Sequence, residues 1–251
     1  MEPQMNMHLA DYVEIFPQCR LWLAYFNRES TAVTEQDIVG AHFSSRDLLR
    51  WQQFRPAAKK SQFLNSRRAV RAVLQKEFGK EADRITYDSD SYGCPLLLSR
   101  DNSHVAHISL SHSANAVAVV ISDGEHPVGV DIEVPEPLRA RALQLVAFHP
   151  HEQVWCESAA GIKSEALTTL WTIKESVWKT LRNRGDIPLS EISITFHSGI
   201  PHVAISGSTN TFPVFRTQII VQQSVPVVPD TLCLSTANVP LRGCVAQRIA
   251  P

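Results

Sequence analysis

The sequence lacks the markers of several large protein classes. Neither charge is in excess: 24 Lys and Arg stand against 25 Asp and Glu, a net charge of −1. A chain so balanced has no overall field to hold a polyanion, so no nucleic-acid partner is expected and any basic patch must be local. Long hydrophobic runs are also missing; no apolar stretch approaches the ~18 residues that a membrane span needs. There is no disulfide framework, because the five cysteines (Cys19, Cys94, Cys156, Cys233 and Cys244) are odd in number, widely spaced and without a Cys-x-x-Cys pair. Such usage suits a reducing compartment. The first sixteen residues carry acids and no basic start followed by an apolar run, so no signal peptide is expected. These absences leave a soluble, cytoplasmic globular protein with no membrane partner.

What is present is a chain of 251 residues with 44% hydrophobic content, enough for one large domain or two modest ones. Residues 44–78 read as helical. Leu48, Leu49, Phe54, Phe63, Leu64, Val70, Val73, Leu74 and Phe78 recur at helical intervals, broken once by Pro56 and stopped by Gly79. Ile85-Thr86-Tyr87 predicts a short strand and Ser91 to Pro95 a turn. Val105 to Ser111 and Ala116 to Ser122 predict two strands about a polar Ser-His-Ser-Ala-Asn bend. Val128-Gly129-Val130-Asp131-Ile132-Glu133 alternates as a strand does and is ended by Pro135 and Pro137. A second helix is predicted from about Ala166 to Leu181, with Leu170, Ile173, Val177 and Leu181 as its apolar stripe and Gly185 as its stop. Ile192 to Phe196 is again strand-like.

The order of these pieces repeats. A helix ending in Val73-Leu74 leads to Ile85-Thr86-Tyr87 and then Gly93-Cys94-Pro95. A helix ending in Thr180-Leu181 leads to Ile194-Thr195-Phe196 and then Gly199-Ile200-Pro201. Helix, strand and Gly-x-Pro turn in one order predict an α+β fold of two similar halves, residues 1–125 and 126–251. The strand around Asp131 would then lie near their seam, where small-molecule sites tend to form.

Several residues in these segments could do chemistry. Asp131 and Glu133 stand two apart on a strand, so both side chains leave the same face, with Val130 and Ile132 on the other. A lone Asp-x-Glu is as readily a solvated strand face. As a site it needs a third oxygen donor and a phosphate, which suit a hard divalent ion such as magnesium. Glu175 is the candidate, since Trp171, Glu175 and Trp178/Lys179 share one helix face. An ordinary Glu175–Lys179 ion pair explains the spacing equally well, so both readings stay open. His112 lies among hydroxyls in the expected bend, which could bind an anion through its hydroxyls and backbone N–H groups. Arg67 follows Ser66 in the first helical stretch, where a solvated face is the plainer reading. His149-Pro150-His151-Glu152, with Cys156 nearby, has no second ligand pair and is a poor zinc site.

Taken in order, Ile108-Ser109-Leu110-Ser111-His112-Ser113, the Val128–Glu133 segment and Trp171-Thr172-Ile173-Lys174-Glu175-Ser176 resemble the three signature blocks of the 4′-phosphopantetheinyl transferases. The resemblance is to the large monomeric type that activates peptide and polyketide synthetases. Phe148 to Glu152 and Asp186 to Ile194 resemble two further family segments, and matching blocks run from about Ser66 to Ile194, roughly half the chain. This resemblance implies a monomer of two pseudo-symmetric α+β halves with coenzyme A in the cleft between them. It implies transfer of phosphopantetheine from coenzyme A to a serine of an apo acyl or peptidyl carrier protein, with magnesium as cofactor. Carried over by motif, Asp131, Glu133 and Glu175 would hold the magnesium, and Lys174 and Lys179 would face the phosphates. Arg67, His112 and, less directly, Ser111 would hold the nucleotide end, and Glu175 would act as general base with Lys179 beside the leaving group. A magnesium phosphohydrolase or nuclease shares the carboxylate pattern but usually needs another carboxylate or histidine for a second metal. A degenerate member that only binds coenzyme A or a carrier is the third reading. Cys94 departs from the family, which usually has Lys or Arg there, and Arg46 and Arg50 match its early basic residues only loosely.

Overall fold

The structure, a computed structural model, describes residues 7–16, 18–26, 44–90, 93–124, 127–135, 147–158, 163–181, 187–197, 200–205, 211–213, 215–219 and 232–238. Two compact units part between Asp123 and Gly124, and both mix helices with antiparallel strands.

The first unit contains β1 (Met7–Leu9), β2 (Val13–Phe16), β3 (Cys19–Phe26), α1 (Ser45–Gln53) and α2 (Ala57–Phe78). A 3₁₀ turn (Gly79–Arg84) then leads to β4 (Thr86–Ser89), β5 (Pro95–Leu98), β6 (His104–Ser113) and β7 (Ala116–Ser122). The strands form one antiparallel sheet in the order β1-β3-β7-β6-β5-β4, with β2 added beside β3. β3 and β7 are the central strands because they are nearly unbroken apolar runs, able to bury both faces. Helix α2 lays Ala69, Val70, Val73 and Leu74 on the face carrying Trp22, Ile108, Val119 and Ile121. Pro56 divides the expected helix into two, as its missing N–H requires. Ser44 caps α1 by accepting from the Asp47 N–H. Gly79 ends α2 at φ 53°, a left-handed value that glycine adopts without strain.

The expected polar bend at residues 111–115 is corrected. β6 continues to Ser113, and only Ala114 and Asn115 turn the chain. The serines read as turn formers because they are polar, yet Ser109, Ser111 and Ser113 are alternate, buried positions of a strand.

The second unit contains β8 (Val128–Glu133), α3 (Pro150–Ser158), α4 (Lys163–Leu181), a 3₁₀ turn (Leu189–Glu191), β9 (Ile192–His197), β10 (Ile200–Ile205), β11 (Thr211–Pro213), β12 (Phe215–Ile219) and β13 (Leu232–Asn238). Its described strands form two antiparallel sheets, β11-β10-β9 and β12-β13-β8. Helix α4 touches both sheets and α3. Its apolar stripe of Leu170, Ile173, Val177 and Leu181 joins Ile192, Ile194 and Val203 in one core. A helix, a 3₁₀ turn and an antiparallel strand pair thus occur in each unit, as α2 with β4–β5 and as α4 with β9–β10. The expected helix stop at Gly185, the turn glycine Gly199 and the turn residues Ser91 and Tyr92 lie outside the described residues.

Candidate active site

The strand bearing Asp131 and the helix bearing Glu175 meet closely, and glycine makes the meeting possible. A Cβ on Gly129 would stand 1.9 Å from the Ser176 carbonyl oxygen and 2.6 Å from Thr180 Oγ1. No side chain fits there, so only glycine lets the β8 backbone lie against α4. Because side chains alternate along a strand, Gly129, Asp131 and Glu133 share the face turned to α4, while Val128, Val130 and Ile132 leave the other face and are buried.

Next to that contact, Lys179 Nζ donates to Asp131 Oδ1 at 2.8 Å and to the Val130 carbonyl at 3.0 Å. Both groups have little exposure, so this ion pair is held in a partly dry setting rather than on an open surface. Glu175 stands one helical turn before Lys179, and Ser176 and Thr180 are the adjacent pair against Gly129. Ser176, Lys179 and Thr180 therefore lie along β8, with the Lys179 ammonium beside the strand carboxylate of Asp131, and Glu175 is the half-buried residue one turn before that lysine. Lys179 is tied to Asp131, on another element, which the simple Glu175–Lys179 pairing did not foresee.

Lys174, expected to face phosphates, is corrected. Its side chain has no exposure, and its ammonium lies 2.8 Å from Glu152 Oε2. The same nitrogen donates to the carbonyls of Ala147 (2.6 Å) and Ile192 (2.6 Å), and more weakly to Leu189 (3.4 Å). An ammonium has three protons, and these acceptors use them all. Burial lowers the Lys174 pKa despite the opposing pull of Glu152. The neighbouring Glu175 lies about 100° further round the helix, which is why consecutive residues have such different surroundings.

Arg67 is corrected in the same way. Its Nε and Nη2 both donate to Asp47 Oδ1, at 3.0 and 2.6 Å. The guanidinium lies against the rings of Phe63 (4.2 Å) and Tyr87 (4.6 Å), with Nη1 3.4 Å from the Tyr87 hydroxyl. Both members of the pair are buried, so this arginine ties α1, α2 and β4 together instead of reaching for a nucleotide.

Ser111 and His112 are consecutive on β6 and leave opposite faces. Ser111 is buried, whereas His112 is exposed, on the same face as Ile108 and Leu110 but beyond them towards the strand end. Cys94 is buried, and its N–H donates to Asp90 Oδ1 at 2.7 Å in the turn before β5. Arg46 and Arg50 are exposed on α1. His149 and His151 stack at 5.5 Å, and His151 Nε2 is 3.2 Å from the Ile194 carbonyl. With Glu152 committed to Lys174, nothing there resembles a zinc shell.

Among the described residues no three His, Cys, Asp or Glu side chains converge as a closed metal shell. The donors at the α4–β8 contact are nevertheless the hard carboxylate oxygens that magnesium prefers, and they lie on facing elements. Magnesium keeps several waters and takes further oxygens from substrate phosphates, so one or two carboxylates suffice. The residues present fit such an ion, and they do not fit a zinc or calcium cage. Glycine at 129, the Glu152 partner of Lys174 and the Asp47 partner of Arg67 were missed from sequence. Only the first carried a signal, a glycine inside an apolar strand.

Residues 127–225 match the model of the 4′-phosphopantetheinyl transferase superfamily. That span holds β8 and α4, the elements that build the contact just described, so it is this part of the chain that is similar to the superfamily. The curated relatives agree. The 4′-phosphopantetheinyl transferase gsp of Aneurinibacillus migulanus is 31% identical over 126 residues, half of each chain. The 4′-phosphopantetheinyl transferase Sfp of Bacillus subtilis (strain 168) is 25% identical over 51% of this chain and 55% of its own. The 4′-phosphopantetheinyl transferase HetI of a Nostoc species is 29% identical over 63% and 67%. The chain thus spans about half the length of the gsp and Sfp relatives it matches.

Proposed function

We propose that this protein is an enzyme that transfers the 4′-phosphopantetheine group of coenzyme A to a serine of an apo acyl or peptidyl carrier protein, releasing 3′,5′-ADP. The observation that carries the reading is the Lys179–Asp131 contact, with Glu175 one turn away, inside the span that matches the transferase superfamily. In this reading Glu175 takes the proton of the carrier serine hydroxyl. The hydroxyl oxygen bonds to the β-phosphorus of coenzyme A, and the bond from that phosphorus to the bridging oxygen breaks, leaving both electrons on the nucleotide phosphate. Lys179 offers its charge to that departing oxygen. Asp131, Glu133 and Glu175 would hold magnesium, which when bound neutralises charge on the pyrophosphate as a Lewis acid. As in other phosphoryl transfers, positioning and charge carry the catalysis.

The remaining assignments are also proposals. Residues 1–125 would serve the nucleotide end of coenzyme A, through the exposed His112 rather than the buried Ser111, and residues 126–251 the metal and the catalytic helix. The enzyme would work as a monomer in the cytoplasm. The test is to incubate it with coenzyme A, magnesium and apo carrier proteins from fatty-acid, polyketide and peptide pathways, then weigh the carriers. A gain of one phosphopantetheine on serine is expected. Unchanged carriers throughout, with release of phosphodiester cleavage products, would replace the transferase by a phosphohydrolase.

A further inference from the structure

We infer that the buried Lys174–Glu152 pair is a positioning device for Glu175: it fixes the rotation of α4 so that the next residue faces β8. This rests on the transferase reading above, which makes Glu175 the base. Lys174 and Glu152 have essentially no exposure, and the pair reaches well beyond itself. Glu152 accepts from the His149 N–H (2.7 Å, Oε2) and the Ile194 N–H (2.8 Å, Oε1), while Lys174 donates to the carbonyls of Ala147 and Ile192. Two side chains thus bind backbone just before the N-terminus of α3, at Ala147 and His149, and on β9, at Ile192 and Ile194, around one point midway along α4.

Stability alone does not account for such a joint. A buried ion pair gives up two hydration shells, and well-packed apolar residues usually stabilise a core as well or better. The aliphatic positions around it, Ile173 and Val177, would let the helix turn or slide by small amounts, since dispersion contacts are not directional. An ammonium shared among a carboxylate and backbone carbonyls has one geometry. Because Glu175 is the next residue, any rotation of Lys174 is passed to it through a single peptide unit. The opposite side of α4 is set by the Gly129 contact, so the helix is held at two points and Glu175 falls between them.

The experiment compares wild type with Lys174→Met, which keeps the chain length, and Glu152→Gln, which keeps the shape. Each is measured for thermal melting and for kcat and KM with coenzyme A on an apo carrier. Positioning predicts that folded molecules of both variants lose at least about tenfold in kcat while KM for coenzyme A stays near wild type, since a small misplacement of a base costs that much. The near-ultraviolet circular dichroism of Trp171 and Trp178, which flank Glu175 on α4, should change in parallel. A second arm adds Glu152→Gln to Lys174→Met, removing the unpaired buried charge. Melting should recover towards wild type while kcat stays low. A double variant that regains both melting and kcat overturns the proposal and leaves the pair a purely structural one. So does a kcat loss that follows only the unfolded fraction. If wild type itself transfers no phosphopantetheine, the underlying reading fails instead, and the two failures are distinct.

Discussion

Three buried or half-buried side chains illustrate how surroundings decide what an ionisable group can do. Lys174 is sealed among acceptors, Lys179 shares its charge with Asp131 at the edge of the strand, and Glu175 lies between them in sequence without sharing the interior of the first. Glu175→Gln keeps size and polarity but removes the basic oxygen. Transfer should fall by roughly 10²–10⁴-fold, the usual worth of a general base, while the melting temperature holds. Carrier mass spectrometry and a thermal melt check both halves of that statement. A different residue sets an alkaline limit. Burial pushes the Tyr87 phenol up to about 12, whereas a tyrosine in the unfolded chain ionises near 10. Between those values the folded protein holds a proton that the unfolded chain has released, so stability falls as pH rises through the window. Burial likewise raises Cys19 to about 12 and adds to the same trend. Melting temperature against pH should begin to decline near 9, where an unfolded thiol ionises, and more steeply from about 10, and Tyr87→Phe should flatten the second part of the decline.

Among the elements, the pairing of β8 with α4 matters most, and it depends on the absence of one side chain. In Gly129→Ala the new methyl would overlap the Ser176 carbonyl, which is backbone and cannot step aside without moving the helix. Overpacking of this kind costs about 1–3 kcal/mol. The larger loss should be in transfer, because any shift that admits the methyl separates Lys179 from Asp131. A variant that melts a few degrees lower and still transfers at the wild-type rate would show that the contact is not needed. The strand itself was legible in the sequence: Val128 to Glu133 alternates cleanly and forms β8 over those six residues. The helix was legible too, from its Leu170/Ile173/Val177/Leu181 stripe, and only its start lies earlier, at Lys163. What local spacing did not reveal was the fate of the cations. Arg67 looked solvated and Lys174 looked outward because their partners, Asp47 and Glu152, sit on other helices. Periodicity reports which face a residue occupies, not which distant carboxylate will meet it. The serines of β6 failed for the opposite reason: their polarity suggested a bend, but strand alternation placed them inside.

Across the molecule, each unit closes an apolar core of its own, one around α2 and the first sheet, the other around α4, α3 and the β9–β10 pair. Neither core calls on a metal. At the α4–β8 contact the positive charge beside Asp131 comes from Lys179, so the strand carboxylate is compensated by the chain itself. Among the described residues, no trio of metal-ligating side chains is gathered that would repel itself open if an ion left. A bound magnesium would therefore be a partner of the substrate phosphates, loosely held by protein alone, and folding should not depend on it. Stripping divalent ions with EDTA should leave the thermal melt and far-ultraviolet circular dichroism unchanged while abolishing carrier modification. Excess Mg²⁺ should then restore transfer without raising the melting temperature. A fall in melting temperature on chelation, recovered with the metal, would instead mean that the carboxylates of β8 and α4 need an ion to lie side by side. In that case Lys179 would have to leave Asp131 for the ion to bind, and Lys179→Ala should tighten magnesium rather than weaken it, which isothermal titration with the metal alone would read.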